Sequence, residues 1–193
     1  LASSESPLIS GHGAALPCRV ASTGLAWQLL KSACVNVSDT PASRWDPKLF
    51  PLPSKHVSFG GFLAALEYFD AGFFELSEAE TSATDPQHRL LLEHGYEALH
   101  SAGYRAERLG GSLLSVFVAI CHEDFRSLTQ DGPLSRNAYS SVGYAHSIAS
   151  GRLSYTLGLH GPCVSVDTAC SSGLVVLHLA HSVLTEAPAA LVS

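Results

Sequence analysis

Charge is scarce in this chain. Asp, Glu, Lys and Arg make up 15% of its 193 residues, against 46% apolar. The net charge is −6 and no basic cluster occurs, which argues against nucleic-acid binding. No run of about 18 apolar residues suggests a membrane span. A basic segment leading into an apolar one, the mark of a signal peptide, is also missing. Five cysteines (Cys18, Cys34, Cys121, Cys163, Cys170) form an odd set without C-x-x-C spacing. That favours free thiols in a reducing compartment over a disulfide framework, so an intracellular, cytoplasmic setting is expected, with a plastid as the alternative. Gly11-His12-Gly13 lacks the third glycine or Gly-Lys of a phosphate loop. There is no internal repeat. The chain starts at Leu1 without Met, as a fragment or processed chain would. Its length allows one good core, and the low charge hints at more buried or interfacial surface than an isolated domain carries.

What is present is organised around Val164 to Leu184. Val164-Ser165-Val166 suits the end of a buried strand. Ala169 to Gly173 are all small, so the backbone can turn sharply. From Leu174 the residues favour a helix, with Ser171 or Ser172 available as N-cap. Cys170 then stands where a strand hands over to a helix. A thiol there feels the positive end of the helix dipole, which favours the thiolate, and backbone amides at such an elbow supply a ready oxyanion hole. The opposing reading is a small buried hydrophobe, but the run of small residues opens space that a core would fill. The helix is apolar all round (Leu174, Val175, Val176, Leu177, Leu179, Ala180, Val183, Leu184), as in a helix buried mid-domain.

The other elements follow from pattern. Leu8 to Leu16 reads as a strand and loop, and Ser22 to Ala33 as an amphipathic helix with Leu25, Leu29, Leu30 and Ala33 on one side. Pro41, Pro47, Pro51 and Pro53 mark irregular chain around Arg44-Trp45, a packed surface pair. Phe69, Phe73 and Phe74 suit core packing. Ser77 and Glu80 have capping-box spacing. Asp85 caps a helix with Pro86 at its first position, carried by Leu92, Tyr96 and Leu99 and ended by Gly103. Leu113 to Ile120 is a continuous apolar run, expected of a strand covered on both faces; Cys121 beyond it is read as a structural thiol. Asp124 to Tyr139 is loop-like. His88, His94 and His100 are spread around their helix, and His178 and His181 have no third ligand at helical spacing, so no metal site is expected. The element order indicates an α/β protein with a mostly parallel sheet.

Several of these segments resemble one family. Asp-Thr-Ala-Cys-Ser-Ser with Leu-Val-x-Leu-His-Leu-Ala is similar to the active-site segment of the β-ketoacyl synthase (ketosynthase) domains of polyketide and fatty-acid synthases. Pro41 to Asp46, Gly60 to Leu63, Phe69 to Phe74, Asp85 to Glu93 and Gly151 to Tyr155 resemble other motifs of the same family. Departures are His88 for Gln, Ser115 and Ala119 for Gly, Ser150 for Ala, and Gly173 for a third Ser. The resemblance implies a thiolase-like layered fold, with residues 1–193 forming the N-terminal half of the domain and stopping within a strand near 189–193. It implies that Cys170 takes an acyl chain from a carrier-protein thioester and passes it to a decarboxylating malonyl unit. The phosphopantetheine arm comes with the acyl carrier protein, no cofactor is bound, and the enzyme is a homodimer with the strand before Cys170 near its two-fold axis. A local basic patch for the carrier would draw on Arg105, Arg108, Arg126, Arg136 and Arg152. Further histidines, a lysine and a second oxyanion-hole donor lie downstream, so the 193 residues alone are not expected to condense. Two alternatives stand beside this: a non-catalytic thiolase-like interaction module, and a cysteine hydrolase with a histidine partner in this chain.

Overall fold

The computed structural model describes residues 8–17, 20, 22–46, 49, 58–130, 138–184 and 189–193. The chain divides into two units, Leu1–Gly13 with Phe69–Ser193, and Ala14–Tyr68. Cys18, Arg136, Pro47, Pro51 and Pro53 lie outside the described residues.

The larger unit is built on a parallel sheet. Its strands are β3 (Ser115–Ala119), β4 (Cys163–Val166) and β5 (Ala190–Val192), in the order β4-β3-β5. Val116 pairs with Cys163 and Ala119 with Val166 on one side of β3, and Val116 pairs with Leu191 on the other. Side chains alternate across a strand, so β3 feeds two cores at once. Val116 and Val118 pack with Leu92, Leu99 and Leu153, while Phe117 packs with Val176 and Ala180. These come from α3 (Pro86–Ser101) and α7 (His146–Thr156) on one face and α8 (Ser172–Val183) on the other. The unit is thus helices, sheet, helix, the layered arrangement expected.

Local chemistry sets the helix ends. The Asp85 carboxylate accepts from the Gln87 N–H at 2.7 Å and Pro86 opens α3, as the sequence predicts. Gly103, at φ +86°, lets the chain leave it. Helix α2 (Glu78–Ala83) is capped by Ser77, whose Oγ accepts from the Glu80 N–H. The Glu80 carboxylate does not complete the box; it pairs with Arg152 instead.

Two expectations are corrected here. The Leu8–Leu16 stretch forms no strand: only Leu16 makes an isolated bridge, to Val20. Gly11 and Gly13 instead lie so close to α3 that a Cβ would meet the Ala98 and His94 carbonyls, which explains the glycines without any phosphate. The Asp124–Tyr139 stretch contains a helix, α5 (Asp124–Gln130), which turns Thr129 inward, and the next described helix is α6 (Ser140–Tyr144). Its polar composition hides that buried side. A short α4 (Ala106–Leu109), unexpected from sequence, precedes β3.

The smaller unit has α1 (Thr23–Lys31), capped by Ser22 as expected, but with no buried residue. It also has an antiparallel pair, β1 (Ser38–Asp39) with β2 (Phe59–Gly60). The Arg44 guanidinium donates to the Leu63 carbonyl and Trp45 meets Phe62 edge-on.

Candidate functional site

Parallel strands β3 and β4 end on the same side of the sheet, where open α/β sheets place their sites. Cys121 follows β3 there and is half-buried. After β4 the chain runs Asp167, Thr168, a 3₁₀ turn over Ala169–Ser171, then α8. Cys170 is at the middle of that turn, exposed, as its sequence position suggests.

The turn is strained and heavily tied. Ala169 has φ +53°, a region that costs a residue with a Cβ about 1 kcal/mol or more. Its N–H donates to the Asp167 carboxylate at 2.9 Å. The Thr168 N–H donates to Ser172 Oγ at 2.8 Å, and Ser172 Oγ donates to the Ala169 carbonyl at 2.8 Å. Ser171 Oγ donates to the Thr168 carbonyl at 2.7 Å. Neither serine caps α8 in the usual way, because residues 170 and 171 are already turned and the N-cap is not extended. The sequence reading missed Asp167, Ala169 and the bonds of Ser172. A usable signal was there: Asp, Thr, Ser and Ser two to four residues apart are the side chains that hydrogen-bond nearby backbone in turns.

Strand β4 is fixed from the α7 side. Ser165 Oγ donates to Ser150 Oγ at 3.0 Å, and accepts from the Ser150 N–H at 3.2 Å. On its other face, α8 buries Ser172, Val176 and Ala180. It is not buried all round as expected, for Leu174 is 74% exposed and Leu177 also lies open. Only the sheet-facing stripe is covered among the described residues.

Behind the sheet, α3 and α7 enclose polar groups. His88 is 1% exposed, and neither ring nitrogen has a partner among the described residues. Burial first, then the Arg152 guanidinium and the neighbouring His146 ring, lower its pKa to about 4. Burial also raises the Asp85 and Glu93 carboxyls above their ordinary range. Arg152 is buried, donating to Glu80 at 2.8 Å and to the Val142 carbonyl. It therefore drops out of any surface patch for a carrier. Arg126 leans over Tyr144 and pairs with Glu123, whereas Arg105 and Arg108 are exposed. His146 Nε2 donates to the His122 carbonyl at 3.0 Å. His178 and His181 are exposed on α8. No group of three metal-ligating side chains gathers among the described residues. Nor is any described helix long and apolar enough to cross a membrane.

The larger unit is an α/β layer whose parallel sheet leads to a thiol at a strand-to-helix elbow. The family model "Beta-ketoacyl synthase, N-terminal domain" matches residues 7–192, and the chain belongs to that family. It is 40% identical over 186 residues to a phenolphthiocerol/phthiocerol polyketide synthase of Mycobacterium tuberculosis, covering 93% of this chain and 12% of that protein. It is 39% identical over 178 residues to a mycocerosic acid synthase-like polyketide synthase of Mycolicibacterium smegmatis, covering 89% and 8%. Among solved structures, the ketosynthase from module 6 of the bacillaene synthase of Bacillus subtilis 168 superposes with TM-score 0.76 at 32% identity, covering 91% of this chain and 28% of that one. An oxazolomycin ketosynthase domain of Streptomyces albus JA3453 gives 0.80 at 28% identity, covering 93% and 32%. The chain thus spans about an eighth or less of these polyketide synthases and under a third of the ketosynthase chains.

Proposed function

We propose that the chain is the N-terminal part of a β-ketoacyl synthase domain of a polyketide synthase, with Cys170 as its nucleophile. The observation that carries the reading is an exposed cysteine on a strained strand-to-helix turn, in a chain of this family. Cys170 Sγ attacks the thioester carbonyl of an acyl group on a carrier protein's phosphopantetheine arm. The pantetheine thiol leaves and takes up a proton, and the acyl chain is held as a thioester on Cys170. Malonyl-carrier then loses CO₂, its enolate carbon attacks the Cys170-bound carbonyl, and the Cys170 thiol is released.

The open apolar face of α8 supports a role within a larger domain. Edge strand β4, with Cys163 and Val164 exposed, supports a homodimer joined along that edge. The four described cysteines are free, which fits a reducing, intracellular setting.

Could a histidine of this chain replace the downstream enolate donors? His178 and His181 follow Cys170 by eight and eleven residues. At about 1.5 Å rise per residue they stand roughly 12 and 16 Å from it along α8. A donor must lie within about 3 Å of the developing charge, so neither of these two serves.

The test uses the intact synthase with an acyl-carrier and a malonyl-carrier thioester, followed by mass spectrometry. An acyl group on the Cys170 peptide and a product two carbons longer are expected. Acyl release as free acid without malonyl would indicate a hydrolase, and an unmodified Cys170 would indicate an interaction module.

A further inference from the structure

We infer that Ser172 is a positioning residue for Cys170, the buried hydroxyl that holds the turn in its thiol-presenting form. The inference rests on Cys170 being the nucleophile. Backbone strain persists only where surrounding bonds over-determine it, and the strained residue is Ala169, next to the thiol. The side chains of Asp167, Thr168, Ser171 and Ser172 tie this turn, and they are not equivalent. Asp167 and Ser171 are exposed, so water can replace their bonds. Ser172 is 5% exposed and uses its hydroxyl in both directions, taking the Thr168 N–H and giving its proton to the Ala169 carbonyl. One oxygen thus clamps the peptides on either side of the Thr168–Ala169 link.

Without that oxygen the Thr168 N–H loses its partner and the Ala169 carbonyl, still held by the Ser172 backbone N–H, loses its side-chain bond, which frees φ to relax to the negative values an alanine prefers. Cys170 would then swing away while α8 stays seated through Val176 and Ala180. The Ser150–Ser165 pair fixes the strand five residues upstream and leaves the turn free. Positioning matters because a misplacement of about 1 Å at a reacting atom costs on the order of 10²-fold in rate.

The test compares Ser172→Ala, Ala169→Gly and the double variant in the intact synthase. Ser172→Ala should slow Cys170 acylation by about 10- to 100-fold, with KM within about twofold. Glycine bears φ +53° without strain, so Ala169→Gly in the Ser172→Ala background should restore about tenfold. A merely structural Ser172 would show no such suppression. Acylation by Ser172→Ala at the wild-type rate, or a double variant no better than Ser172→Ala, would overturn the inference. If Ser172→Ala does not fold, the double variant is compared with Ala169→Gly alone; similar rates support the clamp and a large further loss refutes it. If wild-type Cys170 takes no acyl group, the proposed function has failed instead. Iodoacetamide then still reports the turn: a changed Cys170-to-Cys34 labelling ratio in Ser172→Ala supports the clamp and an unchanged one refutes it.

Discussion

Strands β3 and β4 lie side by side, run the same way and each lead to a cysteine, yet they are built differently. β3 is central, with Ser115 to Val118 all buried. β4 is an edge, with Cys163 and Val164 exposed. β3 binds two cores together through Val116 and Phe117. β4 adds only the partly buried Val166 to them, and is held by its ladder to β3 and by the Ser165–Ser150 hydroxyl pair. With Cys170 as the proposed nucleophile, packing and chemistry are divided between neighbours. Elements that carry function are drawn from the less stable part of a fold, and the strained turn sits after the strand with fewer buried contacts. A thiol at a strand end is not enough, since Cys121 has one too. What separates Cys170 is the turn that follows.

The largest effect should come from exchanging the two thiols for methyl groups. Cys170→Ala is expected to lower acyl-enzyme formation in the intact synthase by at least about 10³-fold, the scale of losing a covalent nucleophile. Cys121→Ala should stay within about threefold, because Cys121 forms no part of the turn. Stopped reactions read by mass spectrometry compare them directly. A strong loss in Cys121→Ala with activity kept in Cys170→Ala would reverse the assignment.

Much of this contrast was legible because it rests on local signals. The unbroken apolar run at 113–120 announces a strand covered on both faces, and Asp85-Pro86 announces α3. The small residues from Ala169 announce a turn. What could not be read was non-local or carried by the wrong residue type. Arg152 and Glu80 are 72 positions apart, so nothing nearby shows that this arginine is buried rather than part of a docking patch. Ala169 has the backbone of a glycine position without being one. β1 and β2 have only two residues each, too short for alternation to appear. The helical hydrophobicity of α8 fixed its period but not which side would be covered.

A smaller effect lies in the helices that cover both strands. Folded His88 stays neutral down to about pH 4, whereas the unfolded residue takes a proton near 6.5. Between those values the unfolded state binds more protons, so the fold loses stability as pH falls. For this residue alone that amounts to about 2 kcal/mol between pH 7 and pH 5. Asp85 and Glu93 act in the opposite sense: their raised pKa values give stability at low pH that is lost as pH rises through the folded values. Urea unfolding of the intact domain at pH 7 and pH 5 should therefore show His88→Gln less acid-sensitive than wild type. Identical pH slopes would mean that His88 is solvated or bonded in solution.

The smallest effect on the fold should come from the edge strand, and it sharpens the comparison most. Val164 is 39% exposed and does not belong to either core. Replacing it with Glu should change monomer stability by no more than about 0.5 kcal/mol, as for surface positions free of special contacts. Association is another matter. Two β4 edges meeting about a two-fold axis would set the same strand against itself, antiparallel, with unpaired backbone groups on each. The introduced carboxylate would then approach its counterpart, and like charges brought together across an interface cost several kcal/mol. With the proposed homodimer joined along β4, Val164→Glu in the intact synthase should thus give a folded monomer while the wild type associates. Light scattering over a concentration series, with a thermal melt to confirm folding, separates the two effects. A folded Val164→Glu that remains fully dimeric would move the interface away from β4. A folded monomer would place the interface on the β4 edge.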